Sequence, residues 1–64
     1  MITLYQFLKI MDFDCEFRIY NDDTLGLILG ADNKGSIDLP YNLYDVPVVK
    51  FIPGIVTMIY VKEN

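Results

Sequence analysis

Apolar and polar positions near the start of the chain repeat with the period of an α-helix. The i, i+3, i+4, i+7 spacing of one apolar face is matched by Leu4, Phe7, Leu8 and Met11. Thr3 and Gln6 have the spacing of a capping box, in which each side chain satisfies a backbone group at the helix start. The pattern therefore predicts a helix over residues 3–11.

The following segments have the patterns of β-strands. Residues 15–20 alternate between apolar and polar side chains, which predicts a strand with one face in water. Turn residues at 21–23 and the apolar run at 24–29 then predict a hairpin. Residues 48–52 and 55–61 flank a Pro53–Gly54 turn and predict a second hairpin.

A short helical turn is predicted over residues 39–44, between the two hairpins. Asp38 is suited to the N-cap position, and Pro40 is tolerated in the first helical turn. The element order is thus α-β-β-short helical turn-β-β in a single domain, residues 1–64. The predicted fold class is α+β, with the N-terminal helix packed on one face of a four-stranded antiparallel sheet.

The apolar surface of the predicted strands exceeds what one short helix can cover. The fourth strand is apolar on both sides, with alternate rows beginning at Ile55 and Val56. One interpretation is that the helical turn and sheet twist cover the remainder. The other is that the uncovered row is a protein interface, with tyrosines as anchors. Its candidate residues are Ile28, Tyr41, Tyr44, Val56, Met58 and Tyr60.

Charge and composition narrow the function classes. The chain has 64 residues, 53% hydrophobic content and a net charge of −4. Direct nucleic-acid binding is not expected, because such proteins cluster their basic residues, whereas here five stand singly along the chain: Lys9, Arg18, Lys34, Lys50 and Lys62. No apolar stretch approaches the 20 or so residues of a membrane span, and no leader is recognisable. One cysteine without a disulfide partner favours a cytoplasmic location.

The residues that carry chemistry are sparse. Cys15 has no histidine to activate it, and its place in the strand pattern predicts a buried structural thiol. Ser36, the one serine, has no recognisable base, and one cysteine without histidine excludes a usual zinc site. Residues 32–36 do not match a calcium loop, since glycine and glutamate are misplaced. The sequence predicts no enzyme activity, no cofactor and no small-molecule substrate.

Three segments resemble small uncharacterised proteins encoded by phages and mobile elements of Gram-positive bacteria. They are residues 2–8 (ITLYQFL), 18–20 (RIY) and 38–43 (DLPYNL). These shared motifs are structural and carry no site residues to this chain. The resemblance implies a bacterial cytoplasm and an accessory role, such as modulating a host or phage protein.

Two function classes follow. The first is a non-enzymatic protein-interaction module, whose partner is another protein or a second copy of the chain. The alternative is an acidic nucleic-acid mimic that inhibits a host nuclease or regulator, an electrostatic role that depends on local charge density. Its candidate phosphate substitutes are Asp12, Asp14, Glu16, Asp22 and Asp23.

Overall fold

The chain folds as one N-terminal helix and a four-stranded mixed sheet, which confirms the α+β class. The computed structural model describes residues 2–10, 16–32 and 39–63. The elements in chain order are α1 Leu4–Ile10, β1 Glu16–Asn21, β2 Leu27–Ala31, a 3₁₀ turn Tyr41–Leu43, β3 Val48–Ile52 and β4 Val56–Val61. The predicted helical turn is therefore shorter than expected, while β3 has the predicted bounds.

Helix α1 starts with the predicted capping box. The Thr3 backbone N–H donates to Gln6 Oε1 at 3.0 Å, and the Gln6 N–H donates to Thr3 Oγ1 at 3.2 Å. The two side chains thus satisfy two backbone donors that have no partner within the helix. The predicted last helical residue, Met11, lies outside the described residues.

The sheet has the strand order β2-β1-β4-β3, and its two central strands are parallel. Both predicted hairpins are present as antiparallel pairs, β1 with β2 and β3 with β4. The expectation of a purely antiparallel sheet was wrong, because β1 pairs in parallel with β4. The strands with the most deeply buried side chains take the centre. The second hairpin is oriented so that β4 runs in the same direction as β1.

The hydrophobic core lies between α1 and one face of the sheet, called the inner face. Its side chains come from α1, from the central strands and from residues 43–48, which lead from the 3₁₀ turn into β3. Leu4, Phe17, Ile19, Ile59 and Val61 are completely buried within it. The alternate residues of β4 that start at Thr57 form the inner row, as the period-two pattern predicted.

The turn after β1 differs from its prediction. Asn21 Oδ1 accepts the backbone N–H groups of Asp23 at 2.8 Å and Thr24 at 3.1 Å, which extends the turn to residue 24. Leu25 then has a φ of 62°, in the left-handed region. β2 consequently begins at Leu27, three residues later than residue 24.

We expect Leu25→Gly to stabilise the fold. A left-handed backbone costs a non-glycine residue roughly 1–2 kcal/mol, and the Leu25 side chain is mostly exposed. The free energy of unfolding from urea titration should rise by about 0.5–1 kcal/mol, net of the greater chain entropy of unfolded glycine. Leu25→Ala removes the same side chain without relieving the backbone, so equal effects of the two variants would contradict this account.

The helical elements that the structure describes are short. α1 has seven residues and the 3₁₀ turn has three. Within residues 2–10, 16–32 and 39–63, neither is long and apolar enough to cross a membrane.

Candidate interaction surface

The side of the sheet away from α1, called the outer face, carries a second group of apolar and aromatic side chains. Along β4 the buried inner residues alternate with half-buried outer residues. Both α1 and the 3₁₀ turn contribute buried residues to the inner side, so neither covers the outer face. The strand registers define the outer face as Glu16, Arg18, Tyr20, Leu27, Lys50, Ile52, Val56, Met58 and Tyr60.

Two stacked tyrosines lie in the middle of one row of the outer face. Tyr20 on β1 is directly opposite Tyr60 on β4, and their ring centroids are 5.3 Å apart with 23° between the planes. Lys50 on β3 extends back over the sheet, with Nζ 4.8 Å from the Tyr60 ring centroid. This cation–π contact and the stacking hold the aromatic rings in defined positions.

The next row contains the one arginine. Arg18 lies beside Met58 in the register, and its Nη2 contacts Glu16 Oε2 at 3.1 Å. Hydrogen bonding to Tyr20, and then the charge of Glu16, raise the pKa of the Arg18 guanidinium above its ordinary value. The group is therefore always charged, and its exposed ion pair contributes little stability.

The six predicted interface residues do not form one surface. Val56, Met58 and Tyr60 share the outer face and are half-buried. Ile28 packs against the core instead. The reason is a bulge, because the register shifts between Ile19 and Tyr20 and leaves one extra β2 residue in that interval.

The other two predicted residues, Tyr41 and Tyr44, lie on the helix side of the molecule. Tyr44 stacks on Tyr5 of α1, with centroids 4.6 Å apart and 13° between the rings. Tyr41 contacts Tyr44 at 5.1 Å and is itself 87% exposed. Lys9 Nζ lies 5.3 Å from the Tyr5 ring centroid, so these tyrosines form a separate cluster.

The acidic residues proposed as phosphate substitutes are also spread out. Asp12 and Asp14 lie outside the described residues. Glu16 begins β1, whereas Asp22 and Asp23 lie in the turn that follows the strand. At the usual rise per residue, β1 separates Glu16 from that turn by about 20 Å. The described part of this set therefore does not form one dense patch.

The metal-ligating side chains of the described residues do not cluster. No group of three or more histidine, cysteine, aspartate or glutamate side chains in that part of the chain could hold a metal ion. Cys15 and Ser36, considered above as nucleophiles, lie outside the described residues. What the described surface offers is aromatic and apolar contact area.

Several outer-face residues were not among the sequence candidates. Tyr20 and Arg18 occupy the polar side of the alternating pattern, which predicts that they face water. The pattern at residues 48–52 predicts a strand, but it does not indicate which face of the sheet Lys50 and Ile52 occupy. Alternation separates the two faces of a single strand. It does not show which strands are neighbours, and the register that brings these residues beside Met58 and Tyr60 depends on that.

No protein-family model matches this chain, and neither the curated proteins nor the solved structures contain a match. The resemblance to small phage and mobile-element proteins stays a prediction.

Proposed function

We propose that this chain is a non-enzymatic protein-interaction module of the phage or mobile-element type, and that it binds its partner through the outer face. The observation that carries the proposal is the composition of that face. Tyr20, Tyr60, Arg18 and Met58 adjoin one another there, and tyrosine, arginine and methionine are enriched at the centres of protein interfaces.

The contacts between the aromatic side chains of the outer face support the same function. The Tyr20 and Tyr60 rings are stacked on each other and lie on adjacent central strands. Lys50 restricts Tyr60 further. Side chains that are already ordered lose less conformational entropy on binding, so more of the contact energy contributes to affinity.

Charge indicates the kind of partner. The outer face carries two basic residues, Arg18 and Lys50, and one acidic residue, Glu16, whereas the whole chain carries five basic and nine acidic residues. The outer face is thus net positive on a chain of net charge −4. It fits a protein surface with an apolar centre and carboxylates at its rim, since complementary charge speeds encounter and fixes orientation.

The outer face favours this function over the acidic mimic. A mimic works through a dense row of carboxylates, but Glu16 pairs with Arg18 at one end of β1, and Asp22 lies beyond the other end. The stacked aromatic pair would have no use in that role.

A single charge on the outer face should weaken partner binding strongly. We expect wild-type chain on beads to retain a protein from a Gram-positive lysate that Met58→Glu does not retain. With the purified partner, calorimetry should show affinity falling by at least about tenfold, because the glutamate would be desolvated next to apolar contacts.

Tyr41→Glu is the matched control, because it adds the same charge to an exposed side chain on the helix side. It should retain the partner like wild type. Equal binding by Met58→Glu, with an unchanged circular dichroism spectrum, would show that the outer face is not the binding surface.

A further inference from the structure

Strand β3 has an edge on which the N-terminal segment occupies one position and leaves the rest open. β3 is the last strand of the sheet. The Val48 N–H donates to the Ile2 carbonyl at 2.9 Å, and Thr3 forms an isolated bridge with Pro47. Among the described residues, no strand lies beyond Val49–Ile52, which is called the open edge.

The open edge is apolar on both sides of the sheet. Phe51 is on the inner face, where its ring lies 5.0 Å from that of Phe7, yet it remains 49% exposed. Ile52 is on the outer face and is 43% exposed. An added strand would therefore have to be apolar on both sides as well, and β3 itself meets that requirement.

The one charge on the open edge is not placed to protect it. Natural edge strands commonly use an outward lysine to prevent pairing, but Lys50 Nζ lies over the Tyr60 ring. A bulge, the other common device, occurs between Val48 and Lys50. It leaves Lys50–Ile52 as a regular stretch that a strand could join.

We infer that β3 pairs antiparallel with β3 of a second copy of this chain, with the two-fold axis at Phe51. A two-fold axis perpendicular to the sheet keeps both helices on the same side of the joined sheet. Inner-face residues then lie opposite inner-face residues only if the axis passes between one residue and its own copy. A two-fold axis at Lys50 would place the two lysines opposite each other. It would also need the backbone of Val48 for pairing, although the Val48 N–H is already bonded to Ile2. A two-fold axis at Val49 would likewise need the backbone of Val48 for pairing.

The Phe51 register avoids both problems. It pairs Phe51 with the second copy's Phe51 on the inner side, and so covers the Phe51 ring, which is half exposed in one copy. On the outer side it places each Lys50 opposite the other copy's Ile52. Cross-strand pairs in such positions interact directly.

The opposite edge of the sheet is a weaker candidate. Leu29 and Ala31 of β2 already pack against the core, so pairing there would cover less additional apolar surface. The five residues of β3 extend only about 17 Å. An interface of this size is small, and the dimer should dissociate at a concentration on the order of 100 µM.

The inference rests on the proposed function only for the idea that this chain binds proteins. It concerns the backbone of the open edge, whose Lys50 and Ile52 side chains also border the outer face. Its test is sedimentation equilibrium from about 10 µM to about 1 mM. The mass should rise from 7.4 kDa towards twice that value. Ile52→Glu would place a carboxylate opposite each Lys50, whereas Ile52→Lys would place a second ammonium there.

We expect the dimer dissociation constant of Ile52→Glu to be at least about tenfold lower than that of Ile52→Lys at low salt, with the ratio shrinking as salt rises. Repulsion between the net charges of the two copies alone would give the opposite order of dissociation constants, because the glutamate makes an acidic chain more acidic. The matched pair Leu27→Glu and Leu27→Lys, on the β2 edge, should show no advantage for glutamate. Lys50→Glu combined with Ile52→Lys should restore the dimer.

A strict monomer up to about 1 mM, or a dimer that Ile52→Lys weakens no more than Ile52→Glu, would overturn the inference. Amide hydrogen exchange of the wild type supplies a readout without variants. Protection should increase with concentration in Lys50–Ile52 and not in Leu27–Ala31. Partner binding through Met58 is measured at micromolar concentration, where the chain is monomeric, so each proposal can fail without the other.

Discussion

Phe17→Ala is expected to remove most of the stability of this fold. The Phe17 side chain is completely buried on central strand β1, and truncating a buried phenylalanine costs about 3–5 kcal/mol. A domain of this length has about 3–10 kcal/mol in total, at roughly 0.05–0.15 kcal/mol per residue. Urea denaturation followed by circular dichroism should show the midpoint falling by about half or more, or no folded baseline.

Ile55→Ala is the control for this prediction. Ile55 has a large apolar side chain that is 95% exposed in the turn before β4, so its truncation should change stability by no more than about 0.5 kcal/mol. If Phe17→Ala cost less than about 1 kcal/mol, Phe17 could not be a central core residue.

Asn21→Ala is expected to lower the free energy of unfolding by about 2 kcal/mol. Asn21 Oδ1 accepts two backbone N–H groups of the turn, and Nδ2 donates to Glu63 Oε1 at 3.0 Å. Each such hydrogen bond contributes about 0.5–1.5 kcal/mol net. The residue therefore stabilises both the first hairpin and the chain after β4, and urea titration measures the combined loss.

Two further variants separate these contributions. Glu63→Ala removes only the bond to the Asn21 side chain amide and should cost less than about 1 kcal/mol. Asn21→Asp keeps an acceptor for the turn N–H groups but opposes Glu63 with a second carboxylate, and should fall between the alanine variant and wild type. Equal losses for Asn21→Ala and Glu63→Ala would mean that the turn hydrogen bonds contribute nothing.

Local signals in the sequence predicted the elements of this fold well. The Thr3–Gln6 capping box and the two hairpins each depend on residues close together in the chain. The parallel pairing of β1 with β4 depends instead on how two hairpins of similar apolar content align. No turn residue encodes that choice, so the sequence pattern left it open and the simplest antiparallel arrangement was wrong.

The candidate surface was predictable in part for the same reason. Alternation in β4 correctly separated Val56, Met58 and Tyr60 from the buried row. Ile28 could not be assigned by alternation, because the bulge in the β1–β2 pair interrupts the two-residue period. The stacking of Tyr20 on Tyr60 required the pairing of β1 with β4, which no local signal indicated.

The parallel central pair also determines how the chain must fold. Glu16 is paired with Val56, forty positions later in the sequence, so the centre of the sheet cannot form until the ends of a long loop meet. Closing that loop costs entropy before any contact between the hairpins compensates for it, and such high contact order slows folding. Neither hairpin has a core of its own, so the transition state should contain both.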